Sequence, residues 1–130
     1  MGSPGQPRLL PELQQALRVL VVDDDETFRG MLIAALEDEG FDVVRAAIDG
    51  YEGVAAALSL KPDAITLDIR MPGLDGLEAG RQIRKADPTV RIVFLSAYDD
   101  ATLQQEAQAL GAEFLVKGCR LSEIADALIR

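Results

Sequence analysis

The chain of 130 residues is acidic, with 22 Asp and Glu residues against 13 Lys and Arg residues, one Cys and no His. The length suits one compact domain, and the missing His excludes Ser-His-Asp and Cys-His catalysis, His-ligated zinc and a phosphohistidine on this chain. The net charge of −9 argues against direct nucleic acid binding and against docking on an anionic membrane.

Beyond a short N-terminal region, the sequence alternates between strand-like and helix-like segments. Residues 1–17 predict a polar disordered tail and a short linker helix, because leucines recur there at helical spacing. Residues 18–130 predict one domain. Its predicted elements are, in chain order, strand 18–22, helix 28–36 ended by Gly40, strand 41–48, helix 51–60, strand 64–67, helix 77–85, strand 91–97, helix 101–110 ended by Gly111, strand 113–116 and helix 121–129.

This alternation predicts an α/β fold of (βα)5 type. Short apolar strands joined by helices form a parallel sheet, and right-handed crossovers place helices on both faces of a doubly wound sheet. In such open sheets, functional sites form outside the carboxyl ends of the strands. The residues that follow each strand are therefore the candidates for chemistry.

Charged and polar residues end four of the five predicted strands. Asp23 and Asp24 follow the first strand, Asp68 the third, Ser96 lies at the end of the fourth and Lys117 follows the fifth. Clustered carboxylates repel each other unless a cation or a proton intervenes, and an oxygen-only ligand set favours Mg²⁺. A carboxylate nucleophile, a hydroxyl, an ammonium and Mg²⁺ together suit phosphoryl transfer, in which a carboxylate can become an acyl phosphate.

Each carboxylate also has a structural interpretation. Asp25, followed by Glu-Thr-Phe, is best explained as a helix N-cap, and Asp23 or Asp24 alone would be a cap as readily as a metal ligand. A lone Asp68 before a Pro-Gly loop would usually form a turn. The joint occurrence of these residues favours a functional site. No phosphate-binding P-loop or dinucleotide fingerprint accompanies them, and Phe28 occupies the glycine position of a calcium loop.

Four segments resemble the receiver domain of two-component response regulators. They are Val-Leu-Val-Val-Asp-Asp at 19–24, Leu-Asp-Ile-Arg-Met-Pro-Gly-Leu-Asp-Gly at 67–76, Phe-Leu-Ser-Ala at 94–97 and Gly-Ala-Glu-Phe-Leu-Val-Lys at 111–117. The resemblance covers about residues 18–130 and is to receivers of the chemotaxis type. It implies a flavodoxin-like sheet with strand order 2-1-3-4-5.

The resemblance assigns roles to the acidic residues. It implies that Asp68 is the phosphoacceptor. It also implies that Asp23, Asp24 and Asp68 bind Mg²⁺ together with the backbone carbonyl of Arg70. Bulky side chains at Arg70 and Tyr98 are hypothesised to screen the acyl phosphate from water.

The resemblance also assigns roles to three residues in or directly after the last two predicted strands. Lys117 is implied to pair with the phosphoryl oxygens, and Ser96 to be the switch hydroxyl that moves onto the phosphate. Phe114 matches the switch aromatic, although a simple core aromatic explains it equally well. The family usually has Pro after this Lys, whereas Gly118 stands here, so either a trans bond or another geometry is open at this position.

The resemblance implies a phosphorylation-dependent switch that is not an enzyme acting on other substrates. A histidine kinase or a phosphotransfer protein would supply the phosphoryl group, since the chain has no His of its own. The signal would leave through the face of helix 4, strand 5 and helix 5, where Tyr98, Asp99, Phe114 and Leu121 are candidates. A phosphorylation-dependent homodimer through that face and a cytoplasmic location are expected, without contact to nucleic acid or membrane.

Two other functions fit part of the pattern. A Mg²⁺-dependent phosphatase would use Asp23 as nucleophile in a D-x-D-x-T match at 23–27, but the sequence has no segment for a substrate cap. A pseudo-receiver would bind partners without phosphorylation. The leucines at 9–17 also leave open that the chain is a fragment of a larger regulator or hybrid kinase.

Overall fold

The computed structural model describes residues 17–130, so the tail and linker helix predicted for the preceding segment lie outside the described residues. The elements are, in chain order, β1 (Arg18–Val22), α1 (Glu26–Asp38), β2 (Asp42–Ala47), α2 (Gly50–Leu60), β3 (Ala64–Asp68), α3 (Gly76–Ala86), β4 (Arg91–Ser96), α4 (Ala101–Ala109), β5 (Glu113–Val116) and α5 (Leu121–Ile129). Within this part of the chain, no helix is long and apolar enough to cross a membrane.

The five strands form one parallel sheet in the order β2-β1-β3-β4-β5, which confirms the predicted fold and strand order. Every element bound agrees with the prediction to within two residues. The helix α1 begins at Glu26 because the carboxylate of Asp25 accepts hydrogen bonds from the backbone N–H groups of Thr27 and Phe28, which confirms Asp25 as the N-cap. Asp68 belongs to β3, where it pairs with Leu95 of β4.

Alternate strand residues point to opposite faces of the sheet, and each face has its own apolar core. On one face, Leu20, Ile65 and Phe94 pack with residues of α2, α3 and α4. On the other face, Val21 and Leu95 pack with residues of α1 and α5. The two layers bury the central strands β1, β3 and β4 almost completely, whereas the edge strands β2 and β5 are partly exposed. The ends of the three central strands are therefore fixed relative to one another.

Two arginines tie together the edge of the sheet at which the strands begin, which we call the amino edge. Arg84 at the end of α3 donates hydrogen bonds to four backbone carbonyl groups, those of Asp87, Pro88, Val90 and Leu110. Arg18 at the start of β1 donates to the carbonyl groups of Leu60 and Lys61. Side-chain hydrogen bonds therefore hold the loop before β3 through Arg18, and the loops before β4 and β5 through Arg84, at this edge.

Candidate functional site

Three carboxylates meet at the opposite edge of the sheet, where the strands end. Asp23 and Asp24 directly follow β1, and the Asp23 N–H donates to the carbonyl oxygen of Ala47 at the end of β2 (3.0 Å). Asp68 is the last residue of the neighbouring strand β3. One carboxylate oxygen from each of the three lies within 4.8 Å of the others. We call Asp23, Asp24 and Asp68 the acidic cup, in which Asp23 and Asp68 are buried and Asp24 is exposed.

The acidic cup fits a hard divalent cation. The Oδ1 atom of Asp23 accepts a hydrogen bond from the Asp25 N–H (2.8 Å), and its buried Oδ2 atom faces the ammonium group of Lys117 (2.9 Å). Three carboxylates held within 4.8 Å of one another repel, and the single positive charge of Lys117 balances only part of their charge, so a bound cation would offset the remaining repulsion. Because all three side chains offer only oxygen, Mg²⁺ is the chemically suitable ion.

Lys117 lies across the acidic cup and is its only ammonium neighbour among the described residues. Its Nζ atom is 2.9 Å from Oδ2 of Asp23, in an ion pair, and 3.5 Å from Oδ2 of Asp68. The end of β5 sets this position, because the Lys117 N–H donates to the Ser96 carbonyl oxygen (2.8 Å). The bond from Lys117 to Gly118 is trans, which settles the geometry that the sequence left open.

Burial and charge oppose each other at this site. Burial raises the pKa of Asp68 to about 7, the Asp23 and Asp24 carboxylates reinforce this rise, and the Lys117 ammonium opposes it. Burial alone would lower the pKa of Lys117, but its contacts with Asp23 and Asp68 raise that pKa overall. The fold therefore brings together three carboxylates that are not all readily ionised at once unless a cation binds beside them.

The predicted switch residues lie at the ends of β4 and within β5. Ser96 is fully buried, and its Oγ atom accepts a hydrogen bond from the Tyr98 N–H (3.1 Å). Phe114 pairs with Phe94 in the sheet and is half-buried against the core under α4. Its position agrees with a switch aromatic and with a core aromatic, so its role stays a prediction.

The loop after Asp68 is shaped by Gly76, which the sequence indicated only as the last residue of the segment 67–76. The Gly76 N–H donates to the Ile69 carbonyl oxygen (2.7 Å). A Cβ atom at Gly76 would overlap the Asp68 carbonyl oxygen and come within 2.7 Å of the Ile69 Cα atom. Gly76 therefore allows the start of α3 to pack directly on the backbone of the candidate nucleophile.

Two residues of α1, Phe28 and Arg29, contact the site, although the sequence pattern placed Phe28 only at the start of a predicted helix. The Phe28 ring centroid lies 4.5 Å from the Lys117 Nζ atom. Arg29 donates to the Asp23 carbonyl oxygen (2.8 Å). In the loops that follow β3 and β4, the Arg70 guanidinium lies 5.8 Å from the centroid of the exposed Tyr98 ring. The predicted ligation by the Arg70 carbonyl stays a prediction.

Replacing Asp68 by Asn should stabilise the metal-free protein. At neutral pH the change removes one of three crowded carboxylates and leaves Lys117 paired with Asp23, so we expect a gain of about 1–3 kcal/mol in the free energy of unfolding. The folded-state pKa of Asp68 lies above its model-peptide value of 3.8. Wild-type stability is therefore lost as pH rises from about 4 to 7, and the gain from Asn is full above pH 7 and absent below pH 4.

Urea unfolding of both forms across this pH range, with a chelator present, measures the difference. The control is Asp100→Asn, which makes the same chemical change at the N-cap of α4, where Asn caps as well as Asp. A gain that is equal at pH 4 and pH 7, or a loss of stability in Asp68→Asn, would contradict the electrostatic explanation.

The chain is similar in sequence to several known proteins. The sequence model of the response regulator receiver domain matches residues 19–129. The chemotaxis protein CheY of Thermotoga maritima is 38% identical over 112 residues, which cover 85% of this chain and 93% of that protein. Protein-glutamate methylesterase/protein-glutamine glutaminase 5 of Geobacter metallireducens is 46% identical over 89 residues, which cover 68% of this chain but only 25% of that longer protein.

A solved structure shows the same architecture. A chain in the crystal structure of the CheX-CheY-BeF3-Mg²⁺ complex of Borrelia burgdorferi superposes with a TM-score of 0.82 at 29% identity, and the match covers 87% of each chain.

Proposed function

Since the chain belongs to the response regulator receiver domain family of two-component signalling, we propose that it is a Mg²⁺-dependent phosphoacceptor in which Asp68 receives the phosphoryl group. The observation that carries this proposal is the acidic cup with the Lys117 ammonium 3.5 Å from the Asp68 carboxylate. A nucleophilic carboxylate, a cation cradle and a fixed positive charge are the parts that phosphoryl transfer needs.

Each residue of the site has a separate role in phosphoryl transfer. Mg²⁺, when held by Asp23 and Asp24, would neutralise charge on the phosphoryl oxygens. The Asp68 carboxylate oxygen forms a bond to phosphorus while the bond from phosphorus to the donor breaks, and the leaving group departs with the electron pair. Lys117 stands beside the forming acyl phosphate as a point charge that stabilises its oxygens.

The donor and the readout are part of the same proposal. Because the chain contains no His, a histidine kinase or a phosphotransfer protein supplies the phosphoryl group in a His-to-Asp relay. The added negative charge draws in the Ser96 hydroxyl and biases an existing equilibrium. The altered surface is that of α4, β5 and α5, where Tyr98 and Leu121 are exposed, and a phosphorylation-dependent homodimer through this face is proposed.

Mass spectrometry of the intact chain tests the proposal. Incubation with acetyl phosphate and Mg²⁺ should give one phosphoryl adduct, and a chelator should prevent it. Steady release of phosphate from a phosphate ester, without an adduct, would instead support the phosphatase alternative. A chain that stays unmodified both with acetyl phosphate and with phosphorylated histidine kinases would contradict the proposal.

The side chains of Arg70 and Tyr98 should slow the hydrolysis of the phosphorylated Asp68. Arg70 and Tyr98 each lie two residues after a site residue, Asp68 and Ser96, and their side chains contact each other at 5.8 Å. Together they would limit the approach of water to the acyl phosphate. We expect Arg70→Ala and Tyr98→Ala each to hydrolyse severalfold faster, measured as the decay of the adduct after acetyl phosphate is removed. Unchanged decay in both variants would refute the screening role.

A further inference from the structure

We propose that Phe28 is a positioning residue that holds the Lys117 ammonium over the site during phosphoryl transfer. This inference rests on the proposed function and extends it to a residue outside the acidic cup. The Nζ atom of Lys117 lies 4.5 Å from the Phe28 ring centroid, well within the range of a cation–π contact.

The ammonium is held between two unlike surfaces. On one side are the carboxylates of Asp23 and Asp68, at 2.9 Å and 3.5 Å from Nζ. On the other side is the Phe28 ring, which packs against the core formed with α1 and α5. Because the Lys117 side chain is only 18% exposed, the ring also removes much of the water that would compete for the ammonium.

The loop that follows Lys117 gives little support of its own. A Cβ atom at Gly118 would meet no atom within 4 Å, so this position is not packed against the rest of the protein. Glycine also leaves the backbone freer than any other residue. The direction of the Lys117 side chain therefore depends on what its ammonium touches.

The two sets of contacts respond differently to a cation. Mg²⁺ would bind the carboxylate oxygens of Asp23 and Asp68. A cation on these oxygens would repel the Lys117 ammonium and so weaken its attraction to the two carboxylates. The Phe28 ring is no ligand for Mg²⁺ and keeps its contact. In the metal-loaded site, the ring is thus the contact that keeps Lys117 beside the acceptor.

The Lys117 side chain can be observed directly by NMR, because the sequence contains only three lysines. A ring this close shifts the Lys117 Cε protons upfield from those of Lys61 and Lys85. We expect this shift to persist when Mg²⁺ is added, to vanish in Phe28→Leu and to be retained in Phe28→Tyr. An unshifted Lys117 resonance in the wild type would overturn the inference.

Reaction rates test the consequence. With acetyl phosphate and saturating Mg²⁺, Phe28→Leu should form the adduct about three- to tenfold more slowly than the wild type, and Phe28→Tyr should restore the rate. In a Lys117→Met background, Phe28→Leu should cause no further decrease. The control Phe41→Leu removes the same aromatic ring from the same core cluster, away from Lys117, and should react at the wild-type rate.

The outcomes separate this inference from the proposed function. A wild-type chain that forms no adduct would overturn the proposed function and this inference with it. A wild-type chain that forms the adduct, with Phe28→Leu equally fast or with an equal decrease in the Lys117→Met background, would overturn the inference alone.

Discussion

Asp68→Asn should abolish the Mg²⁺-dependent phosphoryl adduct completely. An amide is a far weaker nucleophile than a carboxylate and cannot form the acyl phosphate. The fold should survive the change, because Asn has nearly the same shape and the charge repulsion of the acidic cup is relieved. Loss of the adduct in a folded and stabilised variant would therefore report the loss of the acceptor itself.

The matched control is Asp100→Asn, at the start of α4, where the carboxylate caps the helix by accepting from the N–H groups of Thr102 and Leu103. It should form the adduct as the wild type does. Peptide mapping should place the modification on the peptide that contains Asp68. If Asp68→Asn still forms an adduct at the wild-type rate, the acceptor is another residue and the proposed role of Asp68 is wrong.

Gly76→Ala should destabilise the protein by about 3 kcal/mol or more. The added methyl group would overlap the Asp68 carbonyl oxygen, which is a backbone atom of a buried strand and has little freedom to retreat. Any relief of the overlap must displace either the first turn of α3 or the end of β3. We therefore expect a lower melting temperature and slower adduct formation together.

The same substitution at Gly30 provides the comparison. Gly30 lies inside α1, and a Cβ atom there meets no atom within 4 Å. Alanine is a better helix former than glycine, so Gly30→Ala should stabilise the protein by about 0.5–1 kcal/mol. Thermal unfolding of the two variants should thus give shifts of opposite sign, and a small shift for Gly76→Ala would show that the loop after Asp68 can adjust.

The fold and the acidic cup could be predicted because both follow from short-range patterns. Apolar runs mark the strands, and parallel strands bring their carboxyl ends to one edge of the sheet. Asp23, Asp68, Ser96 and Lys117 each end such a run, so their proximity followed once the alternation was recognised. The residue assignments themselves, including the role of Phe114 and ligation by the Arg70 carbonyl, stay predictions.

Other contacts could not be predicted from the sequence. The spacing of apolar residues gives Phe28 a buried face on α1, but not the fact that this face extends over the ammonium of a residue from β5. Nor does a Pro-Gly loop indicate which glycine lies against the backbone of Asp68. Both depend on how a helix is seated on the sheet, which side-chain volumes throughout the core determine.

The arginine ties at the amino edge imply that the two ends of the sheet differ in how easily they open. Arg84 alone bridges four carbonyl groups from two loops, whereas Ser96 at the other end holds the Tyr98 N–H through one side-chain hydrogen bond. Local opening costs less free energy where fewer buried contacts are broken. The loop that follows β4 can thus change its shape while the far end of the same strand stays closed, so a change of surface at this loop need not be a step toward unfolding.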